Sequence, residues 1–430
     1  MPPTPATRGN NRWLPDAELD PHPAASWLLE LGFDLWVRAC YRRTILLPPT
    51  FHIAPGTLIA SNHQRDVDGP MLGTVLVRRR GLRFEWPLPF FATREDLFRR
   101  GILTRLTVQW PAPLSALLGR IPLDWFFPLG RAEPMRRIRE FTLGEALQAV
   151  IDAGMGDAPC VQALNARGLR ELGVPFTSTV RGARAQAPPT ALEHWWGLRR
   201  LQANARTRIT PAFRTTVATQ LKHFAARLDH GRVVYFAPEG SISLNGHFAR
   251  VRGGFFQLVQ ATVVSPWIQP MAIGYDTLGP GRSRVVVNVG RAFRADRTLD
   301  RRQFDAALRA AVLRLVPITA SHLLARYLLQ QTVPFTQATL ATWSARSIDV
   351  LRRHDATLDP LLLHAATTHL IGQRLRWLER TRLIVRRGEA FECQFTRDAA
   401  PSWESPANSL RYLANNLIDL VPDIDRVLPC

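Results

Sequence analysis

Short apolar runs that end in polar turns alternate, along most of this chain, with longer stretches of helical period. Thr57–Ser61, Leu88–Ala92, Val233–Phe236, Ile268–Ile273 and Arg284–Val289 have strand length, and most are flanked by Gly or Pro. Such runs predict strands buried on both faces. With helical stretches between them, residues 44–297 predict an α/β domain with a mixed central sheet flanked by helices. Residues 133–210 break the rhythm with an Arg-, Ala-, Gly- and Pro-rich stretch that includes Trp195-Trp196, and predict a helical insertion. Beyond Thr298 strand signals fade. Phe304–Leu315, Ser321–Gln330, Thr336–Leu351 and Leu361–Leu378 predict helices. A short hairpin over 382–393 follows, so residues 298–430 predict a mostly helical region resembling a winged-helix unit.

Residues 24–43 predict an amphipathic helix. Glu30, Asp34 and Arg38 form a charged stripe at i, i+4, i+8, and Trp27, Leu28, Leu31, Leu35, Trp36 and Ala39 cover much of the other side. Two tryptophans and a basic end at Arg42-Arg43 suit a helix lying in a membrane interface. Packing on the domain's own core is the equal alternative. Residues 1–23, Pro-rich and polar, read as a flexible start without the apolar centre of a secretory signal.

Composition changes the picture in one respect. The 430 residues carry 55 basic against 35 acidic side chains, a net charge of +20, and Lys222 is the sole lysine. Guanidinium groups stay charged and grip phosphate through a planar fork, which points to phosphorylated ligands or anionic lipid and, behind them, nucleic acid. A genome-wide preference for arginine would give the same balance. Cys40, Cys160, Cys393 and Cys430 lie far apart, with no metal or redox spacing. No window reaches 18 uninterrupted apolar residues, so no spanning helix is predicted.

Two segments carry candidate chemistry. Ser61-Asn62-His63-Gln64-Arg65-Asp66-Val67-Asp68 follows one apolar run, and Phe236-Ala237-Pro238-Glu239-Gly240-Ser241 ends another. Histidine is the side chain best suited to accept a proton near neutral pH, and a carboxylate on its second nitrogen fixes the tautomer. Asp68 can face back to His63 from the first turn of a helix, while Asp66 competes for that role at i+3. Glu239-Gly240-Ser241 can present backbone N–H groups and a hydroxyl to an anion. Arg250 and Arg252 follow, ahead of Gly253-Gly254, as a candidate phosphate cradle.

Taken together, Asn62-His63 through Asp68, Phe236 through Ser243 and Ile268-Gln269-Pro270-Met271-Ala272-Ile273 resemble, in order, the His-x4-Asp block, the Pro-Glu-Gly block and the proline-containing strand of the glycerolipid acyltransferases. That family includes glycerol-3-phosphate and 1-acylglycerol-3-phosphate O-acyltransferases. Phe91-Ala92-Thr93-Arg94-Glu95-Asp96-Leu97-Phe98 is similar to a further family block. The likeness covers residues 45–130 and 212–292, and Ser409–Asn416 faintly resembles the ends of the larger glycerol-3-phosphate members. There are departures. Ser241-Ile242-Ser243 stands where the family has Thr-Arg-Ser, and Gly119–Asp124 runs into Trp125 where a second basic residue is usual. The stretch between Asp124 and Pro238 is also longer than in compact members.

The resemblance implies a glycerol-3-phosphate acyltransferase-like fold and transfer of a fatty acyl group from an acyl-CoA or acyl-carrier-protein co-substrate to an acceptor hydroxyl, with no bound cofactor and no metal. His63 would be the general base and Asp68 its orienting partner. Asn62, Arg94, Arg120, Glu239, Gly240, Ser241, Arg252 and Pro270 would line the substrate site, with Arg120 or Arg131 compensating for the missing basic residue. The acceptor would be glycerol-3-phosphate or a lysophospholipid-like molecule, and the place of action the cytoplasmic face of a membrane, held peripherally. A catalytically weak scaffold that binds membrane or nucleic acid, and a thioester hydrolase, are the competing readings.

Overall fold

The computed structural model describes residues 23–76, 79–80, 83–84, 88–94, 126–137, 141–175, 177–192, 197–364, 367–396, 401 and 406–421. The chain forms two compact units, one from Met1–Phe91, Pro128–Ala132 and Arg227–Cys430, the other from Ala92–Phe127 and Glu133–Ala226.

The first unit is α/β, built on a mixed sheet flanked by helices. Its strands are β1 (Arg42–Leu46), β2 (Thr57–Ser61), β7 (Val234–Tyr235), β8 (Trp267–Asp276), β9 (Arg284–Val289) and β10 (Phe293–Arg294); β5 (Phe90–Arg94) and β6 (Ala132–Met135) each begin in this unit and continue into the second, while β3 (Arg79–Arg80) and β4 (Arg83–Phe84) form a separate pair. They run in the order β1-β9-β8-β2-β7-β5-β6, with β10 alongside β8. Parallel pairing joins β8 to β2, β2 to β7 and β7 to β5, whereas β9 runs antiparallel to β8. All five residues of β2 are buried, as expected of a central parallel strand covered on both faces.

Pro270 would be unwelcome inside a continuous ladder because it has no N–H to donate. It sits where β8 changes neighbours: Trp267 and Ile268 pair with β10, and pairing with β9 begins at Met271. Pro270 is buried there, so its part is in the sheet and not, as the resemblance implies, on a substrate.

Helix α1 (Pro23–Cys40) stops before Arg42-Arg43, which open β1 instead of ending the helix. Its orientation also differs from a charged-side-out helix. Glu30 is buried, with its carboxylate oxygen 3.5 Å from where a Cβ on Gly73 would sit, and Arg43 reaches Asp34 at 3.2 Å. Leu28 (61% exposed), Leu35 (60%) and Trp36 (41%) point outward. At i, i+7 and i+8 they share one helix face.

Helices α2 (Asp68–Leu76), α3 (Gly253–Ala261) and α4 (Arg301–Leu313) belong to the same unit. Then come α5 (Ala320–Gln330), β11 (Phe335–Thr336), α6 (Gln337–Arg353), α7 (Pro360–His364), α8 (Thr367–Arg380), the hairpin β12 (Ile384–Arg387) and β13 (Ala390–Cys393), and α9 (Pro406–Leu420). The helix expected over 361–378 is present on both sides of residues 365–366, which lie outside the described residues, and β11 completes a three-stranded sheet in the order β11-β13-β12. Leu323, Leu324 and Leu328 of α5 share one buried core with Leu410, Leu413 and Leu417 of α9.

Within α5, His322 is buried and its Nδ1 accepts the Thr319 N–H at 3.0 Å. Burial pushes its imidazole down to about 4, against an opposing pull from Asp276. Because the unfolded ring titrates near 6.5, the unfolded chain binds more protons between those values. Stability therefore falls as pH drops below about 6.5, and about 3 kcal/mol is lost by about pH 4. Urea melts at pH 6.5 and 4.5 should show most of that loss. An His322→Asn variant, which keeps an acceptor for the Thr319 N–H, should show a flatter dependence.

Among its described residues the second unit is mainly helical. Leu143–Val150, Ala166–Leu172 and Val180–Gln186 are capped by the side chains of Thr142, Asn165 and Thr179, each taking up N–H groups that a helix start leaves unpaired. Phe141, Leu147, Leu164, Leu172 and Ile209 lie in its core. A long helix, Ala203–Asp229, runs from this unit into the first. The helical stretch thus reaches past residue 210, its expected end.

Candidate active site

The loop after β2 is short, and its backbone is tied down from several sides. His63 N–H donates to Glu239 Oε1 at 2.9 Å, and the His63 carbonyl accepts the Ser243 N–H at 2.8 Å. The other Glu239 oxygen accepts the Ala249 N–H at 2.7 Å. Glu239 is 1% exposed. It bridges two loops from inside the protein and does not line an open surface, as the resemblance implies it would. Burial pushes its carboxyl up to about 7, against the pull of the two N–H donors.

Asn62 likewise turns inward. Its amide donates to the Ile273 carbonyl at 2.9 Å and accepts the Ile273 N–H at 2.8 Å. That two-way bond fastens the end of β2 to β8, so Asn62 is a staple and not a substrate contact.

His63 and Asp68 meet. Nδ1 of the ring lies 3.1 Å from Asp68 Oδ2. The same oxygen accepts the backbone N–H of Gln64 at 2.6 Å and of Arg65 at 2.9 Å, and Oδ1 accepts the Tyr275 hydroxyl. Asp68 is fully buried and opens α2, where the helix N-terminus favours a negative charge. Asp66 is exposed and does not compete. With a carboxylate on Nδ1, that nitrogen carries the hydrogen and Nε2 keeps its lone pair. Nε2 has no hydrogen-bond partner among the described residues, and the side chain is 19% exposed. The arrangement can take a proton from an incoming O–H.

Tyr275 is a site residue that the motifs do not reveal. Burial and the Asp68 carboxylate hold its phenol well above the usual range, so it serves as a donor, and the Arg65 guanidinium lies 4.4 Å from its ring centroid. It stands 207 positions from Asp68. The strand expected over Ile268–Ile273 stops two residues short of it, whereas β8 runs on to Asp276.

In the Pro-Glu-Gly turn, Gly240 has φ 63°, and a Cβ there would lie 3.1 Å from Arg252 Cγ. Arg252 is exposed and its Nε donates to the Glu239 carbonyl at 3.3 Å. Ser241 is half-buried, with no hydrogen bond to its hydroxyl among the described residues. Arg131, at φ 53°, donates to the Leu88 carbonyl at 2.8 Å and lies 5.2 Å from the Phe90 ring centroid, an attachment to β5. Arg94 is exposed at the end of β5 and belongs to the second unit. Arg120 lies outside the described residues, as do Glu95–Phe98 and Gly119–Trp125. Arg252 is tied to the His63 loop through Glu239.

The C-terminal helix α9 completes the loop beyond Ser243. Tyr412 donates to the Ser243 carbonyl at 3.1 Å, Asn415 to the Asn245 carbonyl at 2.8 Å and Asn416 to the Gly246 carbonyl at 2.5 Å. Asp419 accepts the Phe248 N–H at 2.6 Å, and Gln64, next to His63, donates to Asn416 at 3.1 Å. The space left between these groups is about 10 Å³, room for roughly one water.

No protein-family model matches the chain, and no curated protein matches it. Among the described residues no group of His, Cys, Asp and Glu side chains could hold a metal ion, and no helix is long and apolar enough to cross a membrane.

Proposed function

We propose that this protein is an O-acyltransferase of the glycerolipid type. It moves a fatty acyl group from an acyl-CoA or acyl-carrier-protein thioester to a hydroxyl of glycerol-3-phosphate or a lysophospholipid-like acceptor. The observation that carries the reading is the His63–Asp68 pair, with Nδ1 on the buried carboxylate and Nε2 unpartnered on a partly exposed ring. Nε2 takes the acceptor's hydroxyl proton as the oxygen attacks the thioester carbonyl. The C–S bond then breaks, and the leaving thiolate takes the proton from the imidazolium. Arg252, exposed beside Gly240, supplies a cation for an acceptor phosphate.

Action at the cytoplasmic face of a membrane belongs to the same proposal. Its support is the outward apolar face of α1, where Leu28, Leu35 and Trp36 are 61, 60 and 41% exposed. A helix that turns leucine and tryptophan outward while burying Glu30 suits a lipid interface.

Acceptor class is tested by supplying purified protein and labelled acyl-CoA with glycerol-3-phosphate, lysophosphatidate or glycerol. A phosphorylated acceptor should give product at least about tenfold faster than glycerol, the return expected from one charge-assisted contact. Equal rates would remove Arg252 from the account.

A further inference from the structure

A second site lies apart from His63. Between the start of β1, the loop from β8 to β9 and helix α8 there is a cavity of about 1060 Å³. That is just above the usual range for small-molecule sites, about 300–1,000 Å³. Its lining includes the six arginines Arg42, Arg282, Arg284, Arg374, Arg376 and Arg380, against only two carboxylates, Asp276 and Glu379. Apolar walls come from Pro280, Leu361 and Leu370.

Three of the guanidinium groups are already engaged. Arg284 pairs with Asp359, Arg282 donates to the Arg38 carbonyl at 2.6 Å, and Arg374 holds Asp276 at 2.5 Å. Asp276 is therefore spent within the protein. Arg374 is 8% exposed, yet its Nε–H has no partner. Arg42, Arg376 and Arg380 are exposed, and no acidic side chain pairs with them among the described residues. On α8, His369, Gln373, Arg376 and Arg380 fall at i, i+4, i+7 and i+11, which puts them on one helix face. Cations from three separate stretches of chain thus surround one cavity. Arginine forks match phosphate oxygens bidentately, and the volume leaves room for an organic body against the apolar walls.

We propose that this cavity binds a phosphorylated small molecule bearing at least two negative charges, gripped by Arg42, Arg376 and Arg380. The site stands independently of acyl transfer. The phosphate could be carried by a soluble metabolite or by a lipid headgroup, and two probes separate these sources. Calorimetry with inorganic pyrophosphate should show saturable binding. Arg376→Gln/Arg380→Gln, at exposed unpaired positions, should weaken it about tenfold or more, while Arg302→Gln on α4 should leave it unchanged. If pyrophosphate gives no heat but phosphatidate vesicles float the protein and the double variant abolishes flotation, the site stands with a lipid headgroup as its ligand. The proposal fails if neither probe binds, if the double variant binds like wild type, or if Arg302→Gln weakens binding equally.

Discussion

Replacing His63 by alanine is expected to slow acyl transfer about 100- to 10,000-fold, the usual contribution of a positioned general base, without unfolding the protein. The imidazole has one side-chain partner, Asp68. What shapes the loop is the backbone of residue 63, held by Glu239 and Ser243, and alanine keeps both of those bonds. Under the proposed mechanism the loss should fall on kcat more than on KM, because the ring would act on the proton in the transition state and not on the acyl chain or phosphate. Asp68 differs in kind. Its carboxylate also accepts two backbone N–H groups and the Tyr275 hydroxyl, so Asp68→Ala would strand three buried donors at about 1–3 kcal/mol each. A His63→Ala enzyme that keeps more than about a tenth of wild-type kcat, with unchanged melting, would place the base elsewhere.

Gly246→Ala is expected to destabilise the protein strongly. Gly246 has φ 88°, and a Cβ there would collide with the Tyr412 carbonyl oxygen of α9. A non-glycine residue in this backbone region costs about 1–3 kcal/mol, and overpacking against fixed backbone about 1–3 kcal/mol more. The strain would be relieved by moving α9 away, which breaks the Asn416 bonds to Gly246 and to Gln64 beside His63. Activity should fall together with the melting temperature. Gly388→Ala is the control. Its φ of 62° carries the same backbone penalty, but a Cβ there meets nothing within 4 Å. Equal melting of the two variants would mean that α9 does not hold the loop.

Some of this was legible in the residues. Thr57–Ser61 and Arg284–Val289 match β2 and β9 end to end, because buried apolar runs closed by Gly, Pro or polar turns leave little freedom in placement. The His-x4-Asp spacing also held its information, since Asp68 opens a helix directly after the His63 loop.

Other features lay outside what spacing can tell. Helical period separated the charged from the apolar side of α1, but not which side faces the protein. That was decided by Arg43, on a strand rather than a helix end, reaching back to Asp34. Asn62 and Glu239 look like surface polar residues in a motif, yet both spend their hydrogen bonds on backbone groups far along the chain. Tyr275 and α9 join the site through contacts spanning more than 150 positions. The alternation along β8 that aims Tyr275 at Asp68 is invisible until the register with β2 is known.

The most direct test follows a labelled acyl thioester through the purified protein, with and without a phosphorylated glycerol acceptor. Label is expected to appear in an ester with the acceptor, thioester loss to be slow until acceptor is added, and both to need His63. Thioester cleavage at the same rate without acceptor, or no cleavage with any acceptor, would contradict acyl transfer.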